Sequence, residues 1–155
     1  MAYLFLVEQK FSKRVYDDVL MSDVTPEKFG CDRCWPASAE ACYKALMNDL
    51  AFERRLIDES HFGVWVRSCR HCGQKFLQVF TELIDWEGGD DSQDWTLLPI
   101  SEIEASTLVS QGGSISEATL RALGIGRKSL GHIHARGEPD ATTYWATGIL
   151  VLPHD

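Results

Sequence analysis

Two Cys-x-x-Cys turns, Cys31-Asp32-Arg33-Cys34 and Cys69-Arg70-His71-Cys72, restrict what this chain can fold into more than any other feature in it. Such a turn sets two sulfurs on one side of a tight bend, the bite of two corners of a tetrahedral metal, and the second turn supplies the other two corners. Whatever the fold, it has to bring residues 31–34 against residues 69–72. Gly73 follows the second pair, where a knuckle commonly needs a positive φ that glycine adopts without strain. Four thiolates around one Zn2+ is the expected arrangement. Four protein ligands close the site to water and substrate, so the ion is expected to be structural. The fifth cysteine, Cys42, is expected to be a small buried apolar residue, because the tetrahedron is already full.

The two turns and Gly73 resemble the knuckles of zinc-ribbon and treble-clef proteins in general, a resemblance that implies a zinc staple and no particular family. A dithiol redox motif belongs at a helix start after a strand in a βαβ unit, and neither pair has that setting. Structural disulfides require export. The apolar start Met1–Val7 stops at Glu8 without a cleavage site, so a reducing cytoplasm is the expected compartment.

A chain of 155 residues, 45% hydrophobic and 25% charged, is expected to form one domain spanning residues 1–155, and it holds no apolar run of membrane-spanning length. Within it we distinguish a knuckle region at 29–85, an acidic loop at 85–95 and a C-terminal region at 101–152. A formal net charge of -8 opposes general affinity for phosphate backbones or anionic lipid. The charge is also uneven. Every charged residue from Glu82 to Glu104 is acidic, whereas Arg121, Arg127, Lys128 and Arg136 share a stretch without an acid.

The pattern predicts an α+β fold: an antiparallel sheet with one long and two short helices. Ala2–Val7 reads as a buried strand, and Thr25-Pro26-Glu27 as a capped helical turn leading to Cys31. Residues 36–59, rich in Ala, Leu, Glu and Arg and free of Gly and Pro after Pro36, read as the long helix, with Asp49 and Glu53 as an i, i+4 pair between two apolar stripes. Phe62–Ser68 and Lys75–Asp85 read as strands flanking the second knuckle, the latter central because both of its faces are apolar. Ser101-x-x-Glu104 and Ser114-x-x-Glu117 fit capping boxes opening short helices. Residues 130–135 and 142–152 read as a closing hairpin.

Three sites compete for function. Asp85–Trp95 is a Gly-containing acidic loop with a tryptophan at each end, without the ligand ladder or closing glutamate of a calcium loop. Its Trp86, Asp90, Asp91, Asp94 and Trp95 suit a basic protein partner, because Trp carries binding energy and carboxylates steer encounter. Trp86 is expected to pack inward, and Trp95, with Asp94, to stand partly exposed. Second, Arg33, Arg67, Arg70 and Lys75 around the knuckles, with the basic stretch 121–136, suit nucleic acid, which the global charge opposes. Third, His132 and His134 share one face of a strand, the placement of two metal ligands of an enzyme. With Gly126 and Glu138 they resemble the first motif of cupins, Gly-x5-His-x-His-x3-Glu, although Trp145 stands where its closing Gly belongs and the long helix conflicts with a barrel. The leading expectation is a non-enzymatic, zinc-stabilised acidic interaction protein of bacterial type, similar in composition to immunity proteins that neutralise basic toxins.

Overall fold

The computed structural model describes residues 27–154. The strand expected at Ala2–Val7 and the cap at Thr25-Pro26 lie outside them, and Glu27–Phe29 forms no helical turn. The elements follow in the order α1 (Ala39–Asp49), β1 (Leu50–Glu59), β2 (Phe62–Cys69), β3 (Lys75–Leu83), β4 (Ser92–Ile100), α2 (Glu102–Gln111), α3 (Glu117–Ala122), β5 (Lys128–His134) and β6 (Thr142–Thr147), with a 3₁₀ turn at Gly112–Ser114. The six strands form one antiparallel sheet in chain order, so each strand pairs with its sequence neighbours. This confirms the α+β class with its antiparallel sheet.

Alternation along the strands gives the sheet two apolar faces. One carries Val64, Val66, Leu77, Val79, Leu98 and Ile100 and is covered by Ala105 and Leu108 of α2, Leu120 of α3, and Ile149 and Val151 after β6. The other carries Cys69, Phe76, Leu97 and Leu130 beneath Ala39, Cys42 and Leu46 of α1. β3 contributes to both, Leu77 and Val79 to the first and Phe76 to the second, which is why it carries apolar residues on both of its faces.

The long helix expected over 36–59 is corrected: α1 ends at Asp49, and residues 50–59 form the edge strand β1. Leu, Arg and Glu favour helix, but the preference is a few tenths of a kcal/mol per residue and yields to pairing with β2 over its whole length. No glycine marks the break, because the second knuckle makes it: the backbone N–H of Arg70 donates to the Asp49 carbonyl at 3.1 Å and Leu50 turns extended. Register shifts between Phe52 and Arg54 and between Arg55 and Ile57 erase the period of two that would have betrayed a strand. Asp49 and Glu53 are therefore not one helical pair; Asp49 meets His71 at 3.5 Å, and Glu53 accepts from Lys75.

Two further boundaries differ. The acidic loop closes by residue 91, because Ser92–Ile100 is strand β4. Pro99 is tolerated there because pairing with β5 has already ended at Leu97. The closing hairpin ends at Thr147; Gly148 turns at φ 71° and the chain crosses the first apolar face as an irregular strap, with Ile149 and Val151 buried. There Leu150 accepts from the Thr96 hydroxyl and Val151 from Arg121.

The Ser101 capping box is formed: the Ser101 hydroxyl accepts from the Glu104 N–H at 3.1 Å and the Glu104 carboxylate from the Ser101 N–H at 2.7 Å. Ser114, expected to cap the next helix, instead bonds the Gln111 carbonyl, and Ser116 caps α3 by accepting from the Thr119 N–H. Ser101→Ala and Ser116→Ala should each lower unfolding free energy by about 1 kcal/mol in urea titrations, whereas Ser114→Ala should change it by no more than a few tenths.

Candidate metal centre

The knuckles converge as their spacing requires. Cys31 and Cys34 sit in the turn before α1, and Cys69 and Cys72 in the turn joining β2 to β3. Their sulfurs all lie within 4.8 Å of one another. The separations are 3.7 Å for Cys31–Cys34, 3.9 Å for Cys31–Cys69 and 3.8 Å for Cys34–Cys72. A tetrahedron with metal–sulfur bonds of about 2.3 Å has edges of about 3.8 Å, which these three separations match, so the cluster is compatible with a metal ion. The same separations are far beyond a disulfide bond of about 2 Å.

The backbone shapes both turns alike. Trp35 N–H bonds the Cys31 carbonyl at 2.8 Å and Gly73 N–H the Cys69 carbonyl at 3.0 Å, while Cys31 N–H and His71 N–H point at the sulfurs of Cys34 and Cys69. Gly73 takes φ 77°, as expected. Hydrogen bonding from the Cys34 backbone pulls the Cys31 thiol down to about 6, so a thiolate is available there at neutral pH, while burial pushes Cys34 upward. Cys34 and Cys69 are buried, Cys31 is half-buried and Cys72 is exposed, so one corner faces solvent. Cys42 lies outside the cluster. It is fully buried, it points its thiol at the Cys34 carbonyl, and burial pushes its pKa to about 12.

Gln74 ties the centre together and was not singled out from sequence. Its side-chain carbonyl accepts from Gly30 N–H at 3.0 Å, and its amide donates to the carbonyls of Lys75 and Ile100, both at 2.8 Å. Trp35, directly after Cys34, packs between Phe76, tilted at 5.5 Å, and Trp145, edge-on at 5.0 Å, and the Trp145 indole N–H bonds the Ala37 carbonyl. Nothing local in the sequence marks these contacts, which join residues far apart in the chain.

The residues expected at the acidic loop separate into two groups. Trp86 is corrected from inward-packed to 83% exposed. Trp95 lies within β4, half-buried, with Phe80 at 4.4 Å and Trp65 at 6.2 Å. Asp94, expected at the surface, is 2% exposed on the opposite face of β4. The turn itself is organised by Asp85, whose carboxylate accepts from the N–H groups of Glu87, Gly88 and Asp90 and pairs with Arg136 at 2.8 Å. These bonds, that from Gly88 foremost, hold its pKa below the usual carboxylate range. Asp-x-x-Gly at 85–88 is the sequence signal of such a turn. Asp91 accepts from the Asp85 N–H and Asp90 from the Gly137 N–H.

His132 and His134 do share a face, but each is engaged. His132 stacks on Tyr43 at 3.8 Å and bonds the Thr143 hydroxyl at 2.7 Å, and His134 bonds the Glu138 carbonyl at 3.0 Å. Half of the candidate nucleic-acid cations are matched internally: Lys75 with Glu53, Arg121 with Glu117, Arg127 with Glu104 and Arg136 with Asp85. Among the described residues no helix is long and apolar enough to cross a membrane. Comparison with protein-family models, curated proteins and solved structures finds no match.

Burial pushes the Asp94 carboxyl up to about 6, opposed only by the Thr96 hydroxyl, and one of its oxygens is buried without a hydrogen bond. The folded chain therefore holds this proton more tightly than the unfolded chain, whose aspartate pKa is about 3.9. Its contribution to stability falls as pH rises from about 4 to about 6 and stays unfavourable above, by up to about 3 kcal/mol. Asp94→Asn should raise unfolding free energy at about pH 7 by on the order of 1–3 kcal/mol and do little at about pH 4, read as the parent–variant difference in urea titrations.

Proposed function

We propose that the protein is a non-enzymatic recognition domain, stapled by one Zn2+ at Cys31, Cys34, Cys69 and Cys72, that docks a basic protein partner on the acidic turn between β3 and β4. The observation that carries this reading is Trp86: a tryptophan 83% exposed at the tip of a turn whose backbone is pinned by the Asp85 carboxylate. An exposed indole on a rigid support binds with little loss of conformational entropy and supplies the apolar anchor of an interface. Asp85, Glu87, Asp90 and Asp91 surround it against the single Arg136, so the turn keeps a negative field that steers a cationic surface. Trp95 and Asp94 support the sheet beneath and take no part in the contact.

The zinc assignment rests on four sulfurs spaced for a tetrahedral ion and on the preference of an all-thiolate set for zinc. Elemental analysis of the purified protein should give one zinc per chain. Cys69→Ser should lose it and unfold at far lower urea, because binding energy at such a site is folding energy, while Cys42→Ser should retain the metal in full.

The partner is tested with the full chain as bait in lysate of its host. Proteins retained by the parent should be basic and should elute with rising salt. Trp86→Ala should weaken their binding about tenfold or more with an unchanged melting temperature, and Glu87→Gln should slow association at low salt. Acidic or neutral partners, or undiminished capture by Trp86→Ala, would remove the reading.

A further inference from the structure

α1 covers only part of the second face of the sheet. It reaches as far as Tyr43 over His132; the aromatic side chains Trp65, Phe80 and Trp95 continue the same face, each half-buried. Trp65 lies down on its own strand: a Cβ on Gly63 would stand 2.1 Å from the indole. Only glycine at 63 lets the ring rest there, with one π-face on the backbone and the indole as a whole half-buried. Trp95 runs nearly parallel to it, with an interplanar angle of 23°.

Two residues along β2, on the same face, is Arg67. It is half-buried, its Nε is buried without a hydrogen-bond partner, and it makes no ion pair among the described residues. Lys75 and Arg127, the other half-buried Lys and Arg among the described residues, pair with Glu53 and Glu104. In a chain of net charge -8, carboxylates are abundant, so a partly desolvated guanidinium left without one is the exception. Removing a cation from water costs free energy that an anion returns, and the guanidinium fork suits carboxylate and phosphate oxygens best. A flat-lying indole gains most from a second flat ring laid on its outer side.

We propose that this face binds a nucleotide, its base stacked on the outer side of Trp65 and its phosphate held by Arg67. Both groups sit within about 7 Å along one strand, the spacing of two residues, so one small molecule meets both. A long polynucleotide is disfavoured, because Lys75, Arg127, Arg121 and Arg136 are occupied by Glu53, Glu104, Glu117 and Asp85, and the overall charge repels it. The ligand is therefore a mononucleotide or a small molecule that contains one. This surface shares no residue with the acidic turn, so each reading stands or falls separately.

Calorimetric titration of the full chain with adenosine monophosphate tests it, with adenosine, inorganic phosphate and benzoate as separate probes at constant ionic strength. The expected result is saturable binding of the nucleotide, about tenfold or more tighter than adenosine or phosphate alone, with a melting temperature raised by the nucleotide. Arg67→Met keeps the apolar stem and should erase the advantage of nucleotide over nucleoside while leaving adenosine binding as it was. Absence of saturation up to about 10 mM nucleotide would overturn the proposal. So would equal affinities for nucleotide and adenosine, benzoate binding as tightly as nucleotide, or Arg67→Met titrating like the parent. Should Arg67→Met fail to fold, the nucleotide–adenosine comparison on the parent decides.

Discussion

The meeting of four sulfurs is the constraint from which the rest of the structure is built. It joins the turn before α1 to the β2–β3 hairpin, and each knuckle does more than bring its sulfurs to the cluster. The first delivers Trp35 into the gap between Phe76 and Trp145, so the packing of α1 on the sheet begins at the residue after Cys34. The second accepts the end of α1, through the N–H of Arg70 on the Asp49 carbonyl. A helix of eleven residues with no basic side chain in its last turn is marginal alone. Held at both ends by the same pair of turns, it becomes the lid of one apolar face.

This explains how far the sequence could be read. Cys31, Cys34, Cys69 and Cys72 were legible because the metal geometry is local to each turn and repeats in the chain. So were β2, β3 and the Ser101 capping box, whose signals lie within a few residues. The break at Asp49–Leu50 was not, because its cause is Arg70 and the strand β2, far along the chain, and because two register shifts in β1 scrambled the alternation. Ser114 misled for a related reason: both Ser114 and Ser116 satisfy a capping pattern, and the 3₁₀ turn that decides between them has no strong signature of its own.

The acidic stretch shows the same division within one loop. A run of carboxylates reads as a solvated surface, yet Asp85 spends its oxygens on three backbone N–H groups and Arg136, and Asp94 is buried in a central strand. What distinguishes them is position: Asp85 sits three residues before Gly88, and Asp94 stands at an alternate position of β4 between Trp95 and Gln93. With Asp94 turned to one face, Trp95 must face the other, which removes it from the loop and places it beside Trp65. The inversion of roles between Trp86 and Trp95 is thus one consequence of starting β4 at Ser92.

The two faces of the sheet also hold their unpaired polar groups differently. Thr81, Asp94 and Ser129 carry buried oxygens without hydrogen bonds, and they lie on the face toward α2, α3 and the C-terminal strap. Each such group costs on the order of 1–3 kcal/mol, and there they are sealed beneath apolar residues where no ligand can reach them, so they act only on stability. Arg67 lies on the face that α1 leaves partly open. Its Nε is enclosed while the side chain as a whole is half-buried, so an anion arriving from solvent meets the rest of the guanidinium. Gln78 on that same face is 3% exposed with its Oε1 also unpaired, so what sets Arg67 apart is its charge and its partial exposure. By ending the helix at Asp49, the second knuckle keeps α1 on the part of that face around Phe76, Leu97 and Leu130, and so links the cysteine cluster to the proposed nucleotide site.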